Sequence, residues 1–308
     1  MRALIIHNHM SGFGSDAIFG FERMLLRPGD EGVIRMIGGG TEPANALADA
    51  EDFDLVVVSG GDGTVANVLY ELRNRMIPTC IFPSGTANLM FANLGNAEEP
   101  AMIAAACRRR MLAKTDLAQM RWVDDKGERH VRGFALMAGS GYDADIMRMA
   151  LEDKPTMGEA AYFVAAMRNL KPTVSHFTIE VDGTVYERDG ISCIVANNSS
   201  IQGGMQLVPG CVMNDGLIDV MVLEVEDATM LLRPIVAGIF DPSGESLGRP
   251  HIESFRGEVI RVTSSVPVPL EFDGELTSGT VRSYEARALS GANLLVVDRH
   301  SPYWPGRR

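Results

Sequence analysis

Two short stretches combine glycine, threonine and one polar residue in the way that phosphate-binding loops do. The first is GGDGT, Gly60 to Thr64, and the second is SGTAN, Ser84 to Asn88. Glycines let a backbone approach a bulky ligand closely, and N–H groups at the start of a helix attract phosphate oxygens. Asp62 would repel a phosphate unless it engages a metal ion or a nucleotide hydroxyl. The pattern predicts a nucleotide-phosphate site, with a tight strand-to-helix turn and an aspartate cap as the alternative.

Each loop follows an apolar strand and precedes a helix, and this order continues over the first third of the chain. Alternation of this kind predicts a parallel, doubly wound sheet, in which ligands bind at the carboxyl ends of the strands. Both loops would then lie at one edge of the sheet. The Walker A pattern is absent. Strands are predicted over 2–7, 32–37, 54–59 and 79–83, and helices over 44–50, 65–74, from about 88, and over 100–113.

From about residue 119 the chain reads as a second, mainly antiparallel β domain. Turn pairs such as Asp182-Gly183 and Asp273-Gly274 separate several of its apolar runs. We expect an α/β domain over 1–118, possibly completed by 289–308, and a β-rich domain over 119–288. Strands are predicted over 133–138, 175–181, 191–197, 217–225, 258–263 and 268–272, with a helix over 158–170 and a last apolar run over 292–297.

Composition narrows the class of protein. The chain has 308 residues, a net charge of −12 and a pI near 5.0, which argues against nucleic acid as a partner. No apolar run reaches the roughly 18 residues of a transmembrane helix, and the first residues predict a strand rather than a signal peptide. The four cysteines have no metal-binding spacing, as expected of reduced thiols in a cytoplasmic protein.

One further glycine motif is weighed and set aside. GSGYDA, 139–144, follows a strand and fits the GxGxxA dinucleotide fingerprint. The acidic residue about 20 positions later, Glu159, belongs to a helical pattern and not to the end of a second parallel strand, as the fingerprint requires. Asp143 and Asp145 in this stretch, and Asp116 before it, read as caps or structural charges.

Five blocks in fixed order resemble the diacylglycerol-kinase catalytic family, which includes bacterial lipid kinases, sphingosine kinases and ceramide kinases. The first of these blocks is also shared with NAD kinases. The resemblance covers nearly the whole chain and implies a magnesium- and ATP-dependent kinase that phosphorylates a lipid hydroxyl. The blocks are GGDGT (60–64), PSGTAN (83–88), GYDA (141–144), GGMQLVPGCVMNDGLIDVMVL (203–223) and FDGE (272–275).

The resemblance also implies roles for particular residues. Glu275 would be the general base that takes the proton from the lipid hydroxyl, and Asp62 would organise the Mg²⁺-ATP complex. A second, structural Mg²⁺ would be held by the Asp215 carboxylate and the main-chain carbonyls of Val212 and Leu217, oxygen ligands that suit a hard cation. Nucleotide contacts would come from Thr41, Gly60, Gly61, Asp62, Gly63, Thr64, Gly85, Thr86 and Asn88.

The chain departs from the family pattern in three places. Leu89 replaces the aspartate that many members carry after Asn88, the loop NHMSGFGSD (8–16) lacks the usual proline and basic residue, and Ala66-Asn67 replaces the usual Asn-Glu after GGDGT. Two alternatives therefore stay open: an NAD-kinase-like phosphotransferase, and a catalytically silent lipid- or nucleotide-binding protein. The expected setting is the cytoplasm, with transient contact to a membrane surface. The sequence specifies neither the lipid nor the oligomeric state.

Overall fold

The computed structural model describes residues 1–11, 16–38, 43–147, 172–201 and 204–307. They form two compact units, one from Met1–Leu117 with Leu289–Arg308 and the other from Ala118–Ala288. The predicted helix over 158–170 lies outside the described residues. No helix among those described is long and apolar enough to cross a lipid bilayer.

The first unit is built on a parallel sheet. Its strands are β1 (Arg2–Asn8), β2 (Glu31–Ile37), β3 (Leu55–Gly60) and β4 (Pro78–Pro83), in the spatial order β2-β1-β3-β4. Strands β1 and β3 are apolar and buried on both faces, as parallel strands between two helical layers are. The end of a late strand, β16 (Val281–Val296), pairs in parallel with β4 through Leu294 and Leu295.

Five helices accompany this sheet in the part of the unit that the structure describes. Helix α1 buries Ile18, Phe21 and Leu25 on one face, and the Phe21 ring lies 4.8 Å from that of Phe82 on β4. Apolar residues at this spacing form the inward stripe of an amphipathic helix. The helices are α1 (Ala17–Leu25), α2 (Pro43–Ala46), α3 (Asp62–Glu71), α4 (Leu89–Leu94) and α5 (Pro100–Arg109), with a 3₁₀ turn at Ala50–Asp52.

The second unit is a sandwich of two antiparallel layers. The strands are β5 (Leu112–Val123), β6 (Arg129–Phe134), β7 (Met137–Gly141), β8 (Ser175–Val181), β9 (Thr184–Gly190), β10 (Ser192–Ala196), β11 (Ile218–Leu223), β12 (Ile252–Gly257), β13 (Val259–Val268), β14 (Leu270–Phe272) and β15 (Glu275–Leu276). One layer is a six-stranded sheet in the order β12-β11-β10-β7-β14-β15, and the other contains β5, β6, β8, β9, β13 and the first part of β16. Helix α6 (Leu232–Phe240) follows β11.

Aromatic and branched side chains from both layers form one core. Phe134, Phe177 and Phe272 are fully buried in it, and the Trp122 ring stacks on Phe272 with centroids 5.1 Å apart. Aromatic contacts of this kind add to the free energy gained by burial. The core therefore fixes the position of β14, which ends at Phe272.

The predicted fold class is confirmed: an α/β unit with a parallel sheet precedes a β unit with antiparallel sheets. Both predicted turn pairs close hairpins. Asp182-Gly183 joins β8 to β9 and Asp273-Gly274 joins β14 to β15, and all four residues have positive φ. Two-residue turns of this type match the natural twist of paired strands.

Several predicted boundaries were wrong. Helix α3 begins at Asp62, inside the glycine motif, three residues before the predicted start. The helix predicted over 44–50 is split into α2 and a 3₁₀ turn. Helix α5 ends at Arg109 because Arg110 adopts a left-handed conformation, and the run 133–138 is two strands, β6 and β7, rather than one.

Candidate functional site

The two glycine loops of the first unit lie against each other. They follow β3 and β4, which are neighbouring parallel strands. A Cβ added to Gly85 would stand 2.5 Å from the Cα of Gly61, a distance that real Cβ contacts do not reach. A Cβ on Gly60 would meet Thr64 at 2.6 Å. The glycines are thus required by packing, and they bring GGDGT and SGTAN together as the sequence predicted.

Side chains from the end of β1 hold the first loop. Asn8 donates from Nδ2 to Oγ1 of Thr64 at 2.8 Å, and the Gly61 amide donates to Oγ of Ser11 at 3.2 Å. The residues after β1 therefore contribute to the same edge of the sheet, although this segment lacks the proline and the basic residue of the family pattern. Asn8 and Ser11 are site residues that the sequence did not single out.

Asp62 links the two loops. Its Oδ1 accepts a hydrogen bond from the amide of Met90, in the first turn of α4, at 2.9 Å. The carboxylate thus satisfies one of the N–H groups that a helix start leaves unpaired. The aspartate is a cap, as the alternative interpretation proposed, but it caps the helix of the neighbouring loop and not its own.

The second loop is shaped by Asn88. The amide of Gly85 donates to its Oδ1 at 2.7 Å, and its Nδ2 donates to the Gly85 carbonyl at 2.9 Å. Asn88 itself is left-handed, with φ 49°, a conformation that asparagine tolerates better than most residues. Both backbone groups of Gly85 are therefore engaged inside the loop, which leaves Thr86 exposed on its outer side.

The start of α3 supplies donors for an anion. Val65 closes the first turn on the Gly61 carbonyl at 3.0 Å, whereas the amides of Asp62, Gly63 and Thr64 belong to the helical turn that has no intrahelical acceptor. Such amides, with the positive end of the helix dipole, favour phosphate oxygens. Thr41, the remaining predicted nucleotide contact, lies outside the described residues.

In the second unit, the FDGE hairpin carries three carboxylates with different environments. Asp273 is held by three backbone amides of the β6–β7 connection: its Oδ2 accepts from Ala135 at 2.8 Å, and its Oδ1 from Leu136 at 2.8 Å and Met137 at 3.1 Å. Hydrogen bonds to an ionised acceptor are the strong ones. Asp273 therefore anchors the turn and presents Glu275, two residues later, from a fixed backbone.

Glu275 is exposed and paired with a cation. Its Oε2 accepts from the guanidinium of Arg132 on β6, and that guanidinium also lies 5.2 Å from the centroid of the Phe272 ring. Arg132 orients the carboxylate while leaving it open to solvent. A carboxylate in this position can accept a proton from a hydroxyl group brought to it.

Glu271, at the start of the same hairpin, is a buried carboxyl that the sequence did not single out. Its Oε2 accepts from the amide of Gly274 at 2.8 Å. A Cβ on Gly139 would clash with the carboxylate of Asp143 and stand 3.0 Å from Oε1 of Glu271, so both acids lie over that glycine. The Ser192 hydroxyl donates to Oδ1 of Asp143 at 2.7 Å. The other carboxylate oxygen of Asp143, Oδ2, is buried with no hydrogen-bond partner among the described residues.

Burial raises the pKa of both acids of this pair. Desolvation is the main cause, and it raises the pKa of Asp143 to about 6. For Glu271, desolvation and then the negative charge of Asp143 raise the pKa well above its ordinary range. Two carboxyls this close do not ionise independently. Burial therefore favours the protonated state of the pair, and Glu271 supports the turn through the amide of Gly274.

The predicted second metal site lies on the turn before β11. Oδ1 of Asp215 accepts from the amide of Leu217 at 3.1 Å, and its Oδ2 lies 3.7 Å from the Arg256 guanidinium. Arg256 makes its two closer bonds to Asp219, at 2.9 and 3.0 Å. Asp215 is exposed, and its role as a cation ligand together with the carbonyls of Val212 and Leu217 stays a prediction.

The remaining candidates have structural roles. The strand before GSGYDA, β7, is antiparallel to both of its neighbours, so the motif is not a dinucleotide fingerprint of a parallel sheet. Asp116 is buried and accepts from the amide of Gly291 at 2.6 Å. All four cysteines are buried and free.

Family models match both units of the chain. Residues 2–120 match the diacylglycerol kinase catalytic domain, and residues 137–289 match the YegS C-terminal NAD kinase beta sandwich-like domain. The chain resembles a diacylglycerol kinase of Bacillus subtilis with 29% identity over 246 residues, covering 77% of this chain and 76% of that protein. It is 30% identical over 246 residues to an uncharacterized protein of Synechocystis sp. PCC 6803, covering 77% of this chain but only 54% of that longer protein.

Solved structures share the fold. A diacylglycerol kinase of Bacillus anthracis has a TM-score of 0.70 at 21% identity, with 97% of each chain covered. A yeast NADH kinase has a TM-score of 0.50 at 14% identity, covering 97% of this chain and 84% of that one. At these identities the likeness is one of fold.

The contact between the loops predicts an asymmetry between its two glycines. Gly85→Ala forces a Cβ against the Gly61 backbone, so we expect destabilisation of about 2 kcal/mol, a fall in Tm of roughly 5 °C. Gly61→Ala is the matched control, because its Cβ would meet Gly85 at an ordinary 3.8 Å. Thermal unfolding followed by circular dichroism measures both variants, and equal Tm values for them would contradict the contact.

The buried acid pair predicts a pH-dependent stability. Because the pKa of Asp143 rises from 3.8 unfolded to about 6 folded, the folded state binds the extra proton, and the unfolding free energy falls as the pH rises from about 4 to about 6. Glu271, also raised, extends the fall to higher pH. Glu271→Gln, a neutral isostere that keeps the acceptor for Gly274, should flatten this fall, raising Tm relative to the wild type at pH 8 but not at pH 4.

The control for this measurement is Glu275→Gln on the same hairpin, where the side chain is exposed. It should leave the shape of the Tm-against-pH curve unchanged. Parallel curves for wild type and Glu271→Gln would show that the two buried carboxyls do not share a proton.

Proposed function

The chain belongs to the family that joins a diacylglycerol kinase catalytic domain to a YegS C-terminal NAD kinase beta sandwich-like domain, and on this premise we propose that it is an ATP-dependent lipid kinase. It would transfer the γ-phosphate of ATP to a hydroxyl group of a lipid of the diacylglycerol or sphingoid type. The observation that carries the proposal is the pair of glycine loops held together at the carboxyl ends of β3 and β4.

The first unit would bind the nucleotide. The amides at the start of α3, Asp62 to Thr64, would donate to phosphate oxygens, and Gly60, Gly61 and Gly85 would keep the approach open. Thr86 is exposed beside them and would donate its hydroxyl, while Asn88 holds its loop in shape. Thr41 would add a contact from the loop after β2. Phosphoryl transfer needs positioning and charge stabilisation more than covalent help, and this arrangement supplies both.

The second unit would act on the acceptor. Glu275 would take the proton from the lipid hydroxyl while the oxygen of that hydroxyl forms a bond to the γ-phosphorus of ATP. The bond between the γ-phosphorus and the bridging oxygen would break, and its electron pair would leave on ADP. General-base help of this kind contributes about 10²- to 10⁴-fold to a rate. Asp273 and Glu271 would keep the base in place through the backbone of the turn, as the hydrogen bonds of the hairpin support.

We propose magnesium at both predicted positions. Bound with ATP, it would neutralise phosphate charge, and Asp62 is suited to hold it because only one carboxylate oxygen is used by the Met90 amide. On the turn before β11, Asp215 with the carbonyls of Val212 and Leu217 would hold a structural ion. The Arg256 guanidinium at 3.7 Å competes with that ion for the carboxylate, so we expect this site to be weak.

A lipid acceptor implies work at a membrane surface from the cytoplasm. Helix α6 supports this, because four of its apolar side chains are exposed. Apolar side chains on one helix insert into the boundary between headgroups and acyl chains. We propose transient, peripheral contact through this helix. The exposed residues are Ile235, Val236, Ile239 and Phe240.

One alternative acceptor is favoured by a specific observation. The match to an NAD kinase beta sandwich-like domain and the fold shared with a yeast NADH kinase make NAD a reasonable acceptor. A protein that binds nucleotide without transferring phosphate is the other alternative, suggested by the missing basic residue in the loop after β1. Both can be tested together with the lipid kinase.

The test is transfer of label from γ-labelled ATP to a panel of vesicle-bound lipids and to NAD, with and without Mg²⁺. We expect one lipid class to be labelled in the presence of Mg²⁺. Glu275→Gln should lower the rate by at least about 100-fold with little change in ATP affinity, because it removes only the base. Asp62→Asn should lower the rate as well and weaken the dependence on Mg²⁺.

Control variants separate the parts of the proposal. Glu285→Gln removes a carboxylate of the second unit that is bound to Arg261, and it should leave the rate unchanged. In Asp215→Asn, Mg²⁺ should no longer raise Tm. Ile239→Glu should reduce sedimentation with the vesicles. Transfer of label to NAD instead of lipid would favour an NAD-kinase-like phosphotransferase. Binding of ATP without any labelled acceptor would favour a protein that binds nucleotide without transferring phosphate.

A further inference from the structure

Three buried polar side chains lie at the carboxyl ends of β1, β3 and β4, directly before the glycine loops and the segment after β1. His7, Ser59 and Ser84 are 5%, 0% and 8% exposed. Nδ1 of His7 lies 2.9 Å from Oγ of Ser59, and Oγ of Ser59 lies 2.7 Å from Oγ of Ser84. The Ser84 hydroxyl donates to the carbonyl of Phe82 at 3.4 Å. The three side chains thus form one continuous hydrogen-bonded chain.

Each member lies at the carboxyl end of one of three adjacent strands: His7 and Ser59 are the second-to-last residues of β1 and β3, and Ser84 directly follows β4. His7 and Ser59 are register partners on β1 and β3, and Ser59 pairs with Phe82 on β4, two residues before Ser84. Each also lies immediately before a segment of the nucleotide site: His7 before Asn8, Ser59 before Gly60, and Ser84 before Gly85. The chain of hydrogen bonds therefore runs across the sheet where all three loops leave it.

We assign the Ser84 proton to the carbonyl of Phe82. In this assignment Oγ of Ser84 accepts from Ser59, and Oγ of Ser59 accepts from an N–H at Nδ1 of His7. Burial, and to a lesser degree the neighbouring His9, lower the pKa of His7, so the imidazole is neutral at pH 7. Its ring also lies edge-on to Phe19 of α1, at 6.2 Å.

A buried polar chain of this kind is a poor source of stability. Replacing both partners of a buried hydrogen bond by apolar groups of the same shape can be nearly neutral or stabilising, whereas a fully hydrogen-bonded network fixes one geometry. The apolar neighbours of these residues, Ile6, Val58 and Phe82, show that the strands accept such residues here.

We propose that His7, Ser59 and Ser84 are positioning residues that set the spacing of the nucleotide loops. They touch no substrate; they hold Asn8, Gly60 and Gly85 in register so that the amides of α3 and the second loop face the same phosphates. This inference rests on the proposed function, because it assumes that the loops bind ATP. The inference predicts that breaking the hydrogen bonds between these three side chains lowers the affinity for nucleotide more than it lowers the stability of the fold.

A matched pair of substitutions tests this at His7. In His7→Asn the amide nitrogen occupies the place of Nδ1 and can still donate to Ser59, whereas in His7→Gln it occupies the place of Nε2 and cannot. By calorimetry with MgATP, we expect His7→Asn to bind within about twofold of wild type and His7→Gln about tenfold more weakly, since small displacements of a site have large effects. Ser84→Ala, the mildest break, should also weaken binding.

Thr79→Val is the control for a merely structural role. Thr79 is buried on β4, the strand that leads to Ser84, and lies at the opposite end of that strand from the loops. Its hydroxyl donates to the carbonyl of Ile77 at 3.0 Å. This variant should leave MgATP affinity unchanged even if it lowers Tm as much as Ser84→Ala does. Equal affinities of His7→Asn and His7→Gln, or equal weakening by Thr79→Val and Ser84→Ala, would overturn the inference.

The outcomes for wild type separate this inference from the proposed function. If wild type binds MgATP with the expected ranking of variants but labels no lipid, the lipid kinase is wrong and the positioning role stands. If it labels a lipid while the variants bind MgATP equally, the positioning role alone is wrong. If wild type binds no nucleotide, both are wrong.

Discussion

The contact between the backbones of Gly61 and Gly85 is the constraint on which the proposed nucleotide site depends. A side chain at Gly85 would not fit against the Gly61 backbone, so the two loops meet this closely only because residue 85 is glycine. Once they meet, Asp62 reaches the first turn of α4 and Asn8 reaches Thr64. The amides at the start of α3 are then fixed beside the exposed Thr86. Two loops that are separate in sequence become one rigid surface with an excess of N–H donors.

The carboxylates of the chain illustrate how placement decides the role of a side chain. Asp62 and Asp273 are both bound by backbone amides, and each holds a loop from a neighbouring element. Burial and then the charge of Asp143 raise the pKa of Glu271, whereas Glu275 is exposed beside Arg132. Within one hairpin, therefore, Asp273 anchors the turn, Glu271 supports it from a buried position, and Glu275 is the carboxylate exposed to solvent. On an open loop, the same three acids would not differ in burial or in hydrogen-bond partners.

Much of the fold followed from local patterns in the sequence. Apolar runs marked β1, β3, β4, β8, β10 and β11, because strands buried on both faces or in a sandwich core are apolar over several residues. Strands β9 and β12 carry many exposed charges and gave no such signal. Strand β16 was predicted only in its last apolar residues, since its first half alternates at the surface.

The candidate site was predictable only in part. The glycine motifs indicated the loops, but the role of Asp62 as a cap on α4 depends on a contact between residues 28 positions apart. The pairing of Glu271 with Asp143 depends on strand register, which no local pattern specifies. The same holds for the hydrogen bonds that join His7, Ser59 and Ser84. The one available signal was a polar residue at the end of an apolar strand, repeated before each loop, and it is easily read as ordinary strand termination.

Amide hydrogen exchange with and without MgATP tests the central claim most directly. If the two glycine loops form one phosphate site, exchange should slow together over 61–65 and 85–90, while the β8–β9 turn at Asp182-Gly183 stays unchanged. Slowing over only one loop would contradict a shared site. Slowing over neither, under conditions where MgATP binds, would place the nucleotide elsewhere on the chain.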